Sequence, residues 1–310
     1  MTGLCGWVTG GATPHPVVKN GAVQSVWAFI KLSRPHFLMG GVLMFALGAA
    51  AAGRFDPSGY ALGQLMVTAA QVTAHYVNEY ADLEPDRAIT SRTLFSGGSG
   101  VLVGGLLPPS VALRAARVST GVTVIAALAL AFVSLPGALL GVVAVAISWS
   151  YSMPPLRLLG SGFGEVAASV VVAGLVPVIG ALAQGGGLTA TLGGAIATLF
   201  LIHLAMMLAF ELPDLTADAS TGKRVLAVRI GPARTRALIV LLLVGSVALM
   251  LGQGLSGAWS DGEWVAILAG LPSATLMIVA MFRRRPALLT ACAVATLVLV
   301  AMGLLYGSLR

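Results

Sequence analysis

The chain has 310 residues, 57% of them hydrophobic and 9% charged, with a mean hydropathy of +0.94 and a net charge of +7. That balance excludes a soluble domain or a disordered chain and leaves a polytopic membrane protein. The two cysteines, Cys5 and Cys292, exclude a disulfide framework or thiolate metal site.

In chain order, residues 1–24 lack the basic start and apolar core of a signal peptide, and Pro14 and Pro16 predict an irregular cytoplasmic tail. Residues 25–310 read as one transmembrane domain. A helix needs about 20 mostly apolar residues to cross a bilayer. Segments of that kind lie near residues 35–53, 61–81, 111–134, 137–156, 163–184, 190–212, 235–256, 263–282 and 287–308. The expected fold is therefore all-α, with nine transmembrane helices around a central cavity open to the cytoplasm.

Nine spans with the N-terminus inside place every Lys and Arg except Arg54 and Arg310 on the cytoplasmic side and leave the C-terminus outside. The positive charge thus reads as orientation and attraction to the membrane lipid of the inner leaflet, not as nucleic-acid binding. The acids follow, with only Asp56, Asp261 and Glu263 on the other face.

Those acids concentrate where the second predicted span ends, in NEYADLEPD, and where the sixth ends, in ELPDLTAD. Asn78, Asp82 and Asp86 are spaced by four, a drift of only about 40° per step on a helix, so they share a face. Asp214 and Asp218 repeat that spacing 132 residues after Asp82 and Asp86, which hints at two related halves. Pro85 and Pro213 predict a break in each run. Acids at an apolar boundary imply a polar pocket. Two carboxylate clusters repel unless a cation lies between them. An all-oxygen donor set without His or Cys favours Mg²⁺, which prefers to share its shell with phosphate. Arg87, Arg92, Lys223, Arg224 and Arg229 are near enough in sequence to bind the rest of a diphosphate's charge.

These motifs resemble the UbiA superfamily of intramembrane prenyltransferases. NEYADLEPD resembles the family's first Asp-rich motif, with Glu79 in place of the usual Asp. The stretch from Asp214 to Gly231 resembles its DxxxD followed by a Gly-Lys-Arg turn, and YSMPPLRLLGSGFGE, Tyr151 to Glu165, its YSxPP segment with Met153 as a departure. The resemblance implies that Asn78, Asp82, Asp86, Asp214 and Asp218 hold Mg²⁺ and are catalytic together with Tyr151. It implies a prenyl diphosphate bound with help from Arg87, Arg92, Arg157, Lys223 and Arg224. His75, Glu79, Glu211 and Ser152 support these groups. The implied reaction alkylates a small aromatic acceptor with the prenyl group and releases diphosphate. The acidic runs look closest to the dihydroxynaphthoate branch of menaquinone synthesis.

Other readings stay open. A terpene cyclase of the same superfamily would use the same metal site without an acceptor, and a transporter would also place acids near broken helices. His203 reads as helix packing, and FSGGSGVLVGG from Phe95 to Gly105 as a flexible connector, since it lacks the Lys-Ser/Thr ending of a phosphate-binding loop.

Overall fold

The computed structural model describes residues 21–89, 92–257, 259 and 263–309, and among these it is helical without a strand. Most of the predicted tail, with Cys5, lies outside the described residues, and from Ala22 the chain is already helical. In chain order the helices are α1 Ala22–Leu32, α2 Pro35–Ala51, α3 Pro57–Ala81, the short α4 Leu83–Arg87, α5 Pro109–Leu130 and α6 Leu135–Ser152. Then come α7 Gly164–Ser169, a π-helical stretch Val170–Leu175 and α8 Val176–Ala183, which together make one apolar rod from Gly164 to Ala183. The remainder are α9 Ala190–Glu211, the short α10 Leu215–Ser220, α11 Leu226–Leu255, α12 Trp264–Phe282 and α13 Pro286–Ser308.

Each of the nine predicted spans coincides with helix, but fewer satisfy the demands of a bilayer. Seven helices are long and apolar enough, and the pair α1 and α2, bent by 44° at Ser33 and Arg34, makes an eighth. The ninth predicted span, α3, does not meet that measure of apolarity. That helix runs 25 residues but carries Gln64, Gln71, His75, Asn78 and Glu79, which lower its hydropathy.

Helix starts follow local chemistry. Pro at the first helical position, where no donor is needed, opens α2, α3, α5 and α13. Asp56 caps α3 by accepting from the amides of Ser58 and Gly59, and Thr189 caps α9 through Leu192 N.

Packing then closes a ring. α2 lies against α3 and α8 on one side and α13 on the other, while α13 also contacts α9 and α12, and α9 contacts α11. Gly48 of α2 sits on the Pro177 backbone of α8, where any Cβ would collide, so only glycine permits this approach. Outward-facing Ile125, Phe132, Leu241 and Leu268 are exposed. Such a surface suits acyl chains rather than water.

Candidate active site

The two acidic motifs sit at matching breaks. α3 stops at Ala81, and Asp82 is both its last cap and the first cap of α4. α9 stops at Glu211, and Asp214 caps α10. In both, the second Asp lies one turn on. Asp86 N donates to Asp82 O at 2.8 Å, and Asp218 N donates to Asp214 O at 2.9 Å. The four-residue spacing therefore survives the breaks. Pro213 lies in its break, whereas Pro85 sits in the first turn of α4, where a missing N–H costs nothing.

α4 and α10 touch, and the motifs meet at the mouth of a cavity of about 380 Å³. Asn78, Asp82, Asp86, Glu211, Asp214, Asp218, Tyr151 and His75 all line it. Lys223, just beyond α10, joins the two motifs, with Nζ 2.9 Å from Asp82 Oδ2 and 3.6 Å from Asp218 Oδ1. Asn78 Nδ2 donates to the same Asp82 oxygen at 2.9 Å and to Ser152 Oγ at 3.3 Å.

Burial and mutual repulsion govern the charges here. Burial, reinforced by Asp82 and Glu79, pushes the Asp86 carboxyl up to about 7, and burial with Asp218 pushes Asp214 up to about 6. Asp218 is raised by burial as well. Burial pulls the Lys223 ammonium down, but Asp82, Glu211 and Asp218 outweigh it and hold the group well above its ordinary value.

The other predicted anion-binding residues fall elsewhere. Arg87 pairs with Glu84 at 2.5 Å on the surface, and Arg157 and Arg224 are exposed. Arg92 is spent on the backbone, donating to the carbonyls of Asp86 and Gly97. Of that set only Lys223 lines the cavity.

Two contributors, Arg34 and Glu165, were not singled out from sequence as site residues, and a third, His203, was read as helix packing alone. Arg34, at the α1–α2 bend, lines the cavity 3.5 Å from Glu79 and stacks 5.3 Å above the Phe37 ring. Its φ of 52° is left-handed, a conformation with no signature in the surrounding SRPH. Glu165 is fully buried. One oxygen accepts from Leu226 N at 2.8 Å, capping α11, and the other has no partner. His203 lines the cavity about 12 Å below Glu211, counting eight residues of helix. Its Nδ1 lies 2.9 Å from Ser169 Oγ, so it is both a packing residue and a wall residue.

The stretch expected to be a flexible connector is a folded element of the site. Ser99 gives Glu79 two hydrogen bonds of 2.6 Å, from its amide and its hydroxyl, and Phe95 to Gly98 line the cavity. Gly98, at φ 70°, abuts the Asp86 carboxylate so closely that a Cβ has no room. Gly98→Ala is thus expected to displace Asp86 and lower stability by about 1–3 kcal/mol, measurable by thermal unfolding.

Among the described residues no three His, Cys, Asp or Glu groups converge enough to hold a metal by themselves. Yet Asp214 Oδ1 and Asp218 Oδ2 are buried without hydrogen-bond partners, and the facing donors are all oxygen. Such a set suits a hard divalent cation whose shell a phosphate ligand completes.

The cavity's inner wall is apolar and aromatic. Phe37, Phe95 and Phe210 form a cluster with ring centroids 5.8 to 6.1 Å apart. His75 donates from Nδ1 to the Ser33 carbonyl at 2.8 Å, since a carbonyl can only accept, which leaves Nε2 as the acceptor of the neutral ring.

Comparison with known proteins agrees with this geometry. The chain is 31% identical over 207 residues to the 1,4-dihydroxy-2-naphthoate octaprenyltransferase of Mycobacterium leprae (strain TN), covering 64% of this chain and 66% of that one. It thus spans just under two thirds of that relative's length. In fold it is similar to the apo structure of a UbiA homolog from Aeropyrum pernix K1, with a TM-score of 0.68 at 15% identity, covering 87% of this chain and 95% of that one. It is similar also to a UbiA homolog from Archaeoglobus fulgidus bound to GPP and Mg²⁺, with a TM-score of 0.63 at 16% identity, covering 89% and 98%. The profile of the UbiA prenyltransferase family matches residues 39–302, and with two helix-breaking acidic motifs at one cavity mouth the chain belongs to that family.

Proposed function

We infer that the protein transfers an isoprenyl group from a prenyl diphosphate to an aromatic, quinone-precursor-like acceptor in a Mg²⁺-dependent reaction. The observation that carries this reading is the meeting of two acidic motifs, bridged by Lys223, at the mouth of an apolar cavity. The reading includes nine spans, α3 being the ninth because Gln71, His75 and Asn78 among its polar residues face the cavity. It also places the N-terminus and the cavity mouth on the cytoplasmic side and the C-terminus outside.

In this reading Asn78, Asp82, Asp86, Asp214 and Asp218 would hold magnesium, which when bound would supply positive charge to offset that of the departing diphosphate. Arg34 and Lys223 add positive charge at the same mouth. Glu79 holds Arg34 and the Ser99 loop in place, and Ser152 orients Asn78. Phe37, Phe95 and Phe210 present ring faces to an allylic carbon that becomes cationic as the bond to oxygen breaks. The apolar walls exclude water, which would otherwise capture that carbon. His75 and His203 are the acceptors placed for a ring hydroxyl. His203→Leu is expected to raise the KM for the aromatic acceptor about tenfold, the worth of one hydrogen bond, while leaving diphosphate binding unchanged.

Metal binding requires ionised carboxylates. With Asp86 raised to about 7 and Asp214 to about 6, the metal-free site holds protons below those values. Mg²⁺ affinity should therefore climb between pH 6 and 8 with release of protons, which titration calorimetry in buffers of different ionisation heat detects.

The deciding experiment is product analysis by mass spectrometry of purified protein with Mg²⁺ and geranylgeranyl diphosphate, with and without dihydroxynaphthoate. A prenylated ring made only when both are present is expected. A cyclic hydrocarbon made without acceptor would keep the metal site and overturn the reaction, because the phenylalanine cluster also suits internal quenching of the cation.

A further inference from the structure

A second recess opens beside the site, on the outer side of α10. It is a groove of about 700 Å³ between α10, the start of α11, the end of α12 and the start of α13. Leu215, Thr216 and Ala219 of α10 form one wall, and Met281 and Leu289 belong to the other. Asp214, which caps the same short helix, and Asp218, which lies within it, line the catalytic cavity instead. One turn of helix therefore separates the two recesses.

Three arginines, Arg236, Arg284 and Arg285, line this groove, and none lies within 4 Å of an acid among the described residues. Lys223, Arg34 and Arg87, by contrast, all have carboxylate partners. Arg284 is held at a conformational cost. It occupies the left-handed position that ends α12, at φ 50°, with Arg284 N donating to Met281 O at 3.3 Å and Arg285 N to Ala280 O at 3.0 Å. Glycine is the usual occupant of that turn, because a Cβ there crowds the following carbonyl oxygen. A charged side chain kept at such a place, facing a recess with no acid, points to an anionic ligand.

Apart from Thr216 the rest of the groove is apolar, so the ligand must be amphiphilic. A free phosphate has no use for Leu212, Met281 and Leu289. The groove also lies at helix ends, the level of lipid headgroups.

We propose that this groove binds the headgroup of an anionic glycerophospholipid through Arg236, Arg284 and Arg285, and that the bound lipid braces α10 and with it Asp214 and Asp218. The lipid's phosphate meets the guanidinium groups. Its acyl chains continue along the apolar outer faces of α12 and α13. Packed against Leu215 and Ala219, the lipid resists outward displacement of the helix that carries the second acidic motif. Turnover thus depends on the composition of the surrounding membrane.

The test uses the full chain in nanodiscs of phosphatidylcholine alone or mixed with phosphatidylglycerol, comparing wild type with R236Q/R284Q/R285Q. K31Q/R114Q/R117Q removes equal charge away from the groove and serves as the control. Native mass spectrometry after mild detergent extraction counts retained phosphatidylglycerol. Circular dichroism checks that each variant is folded. The groove variant is expected to retain about a hundredfold less, at about fivefold per arginine, and the control to match wild type. Diphosphate release should be faster with phosphatidylglycerol for wild type and control alone. Equal lipid retention by the groove variant, or equal loss in the control, would overturn the site, as would displacement of the lipid by millimolar inorganic phosphate. Retention without any change in turnover would overturn the bracing of α10. The count of lipids is independent of the reaction, so absence of any prenyl product would strike the proposed function and leave this site standing.

Discussion

Replacing Asp214 or Asp82 by alanine is expected to slow diphosphate release by about 10²- to 10³-fold, the range found when one group that stabilises developing charge is deleted. The fold should survive. Asp214 Oδ1 makes no hydrogen bond in the protein, and the carboxylate faces Asp218, so its removal relieves repulsion rather than opening a packed core. Asp82 differs slightly, because Asn78 and Lys223 both point at its Oδ2. Its loss frees Lys223 to lean further toward Asp218, which limits the structural cost. The double variant should be scarcely slower than either single one, since both motifs grip one leaving group and their effects do not add. Steady-state release assays, paired with circular dichroism and thermal unfolding, check this. A folded variant with wild-type turnover would remove the motif from the catalytic site.

Lys223→Met should show the opposite division between stability and rescue. The ammonium lies between Asp82 and Asp218, with Glu211 close behind, and all are largely buried. Without it the carboxylates face each other unpaired. Removing one partner from a buried ion cluster costs about 3–5 kcal/mol. Thermal unfolding without divalent cations should reveal that loss, and added Mg²⁺ should restore most of it by supplying the missing charge. Turnover should remain depressed at saturating Mg²⁺, because the lysine also contributes positive charge where the diphosphate departs. Full recovery of turnover with metal would reduce Lys223 to a neutraliser of the empty site.

The acidic motifs and the helix positions were legible in sequence for one reason: each is a local pattern. Acids every fourth residue at the end of an apolar run stay on one face even though the helix breaks at Asp82 and at Asp214. Hydropathy located the helices, α3 included, although Gln71, His75 and Asn78, which line the cavity, make it the least apolar of the long ones. The basic residues were hardest to assign, since closeness in sequence to an acid says little about direction. Arg87 and Arg224 adjoin the motifs and point away from the cavity, whereas Arg34, 48 residues before Asp82, lines it because α1 and α2 bend there. Glu165 likewise acts across 61 residues on the amide of Leu226, a pairing that exists only after α7 and α11 have docked.

The π-helical stretch at Val170–Leu175 has an evolutionary consequence. A π turn holds about one residue more than an α turn, so deleting a single residue there would return the rod to regular α-helix without breaking it. The flanking turns would keep their register, because the π turn absorbs the extra residue instead of passing it on as the about 100° that each α-helical residue adds. Ser169, with its hold on His203, and Gly180, which packs on the Phe45 backbone, would stay in place, and only the stretch of cavity wall at Val171 and Val172 would be redrawn. Cavity shape in this lineage can therefore change in discrete steps, by gain or loss of one codon, where substitutions would alter it only gradually.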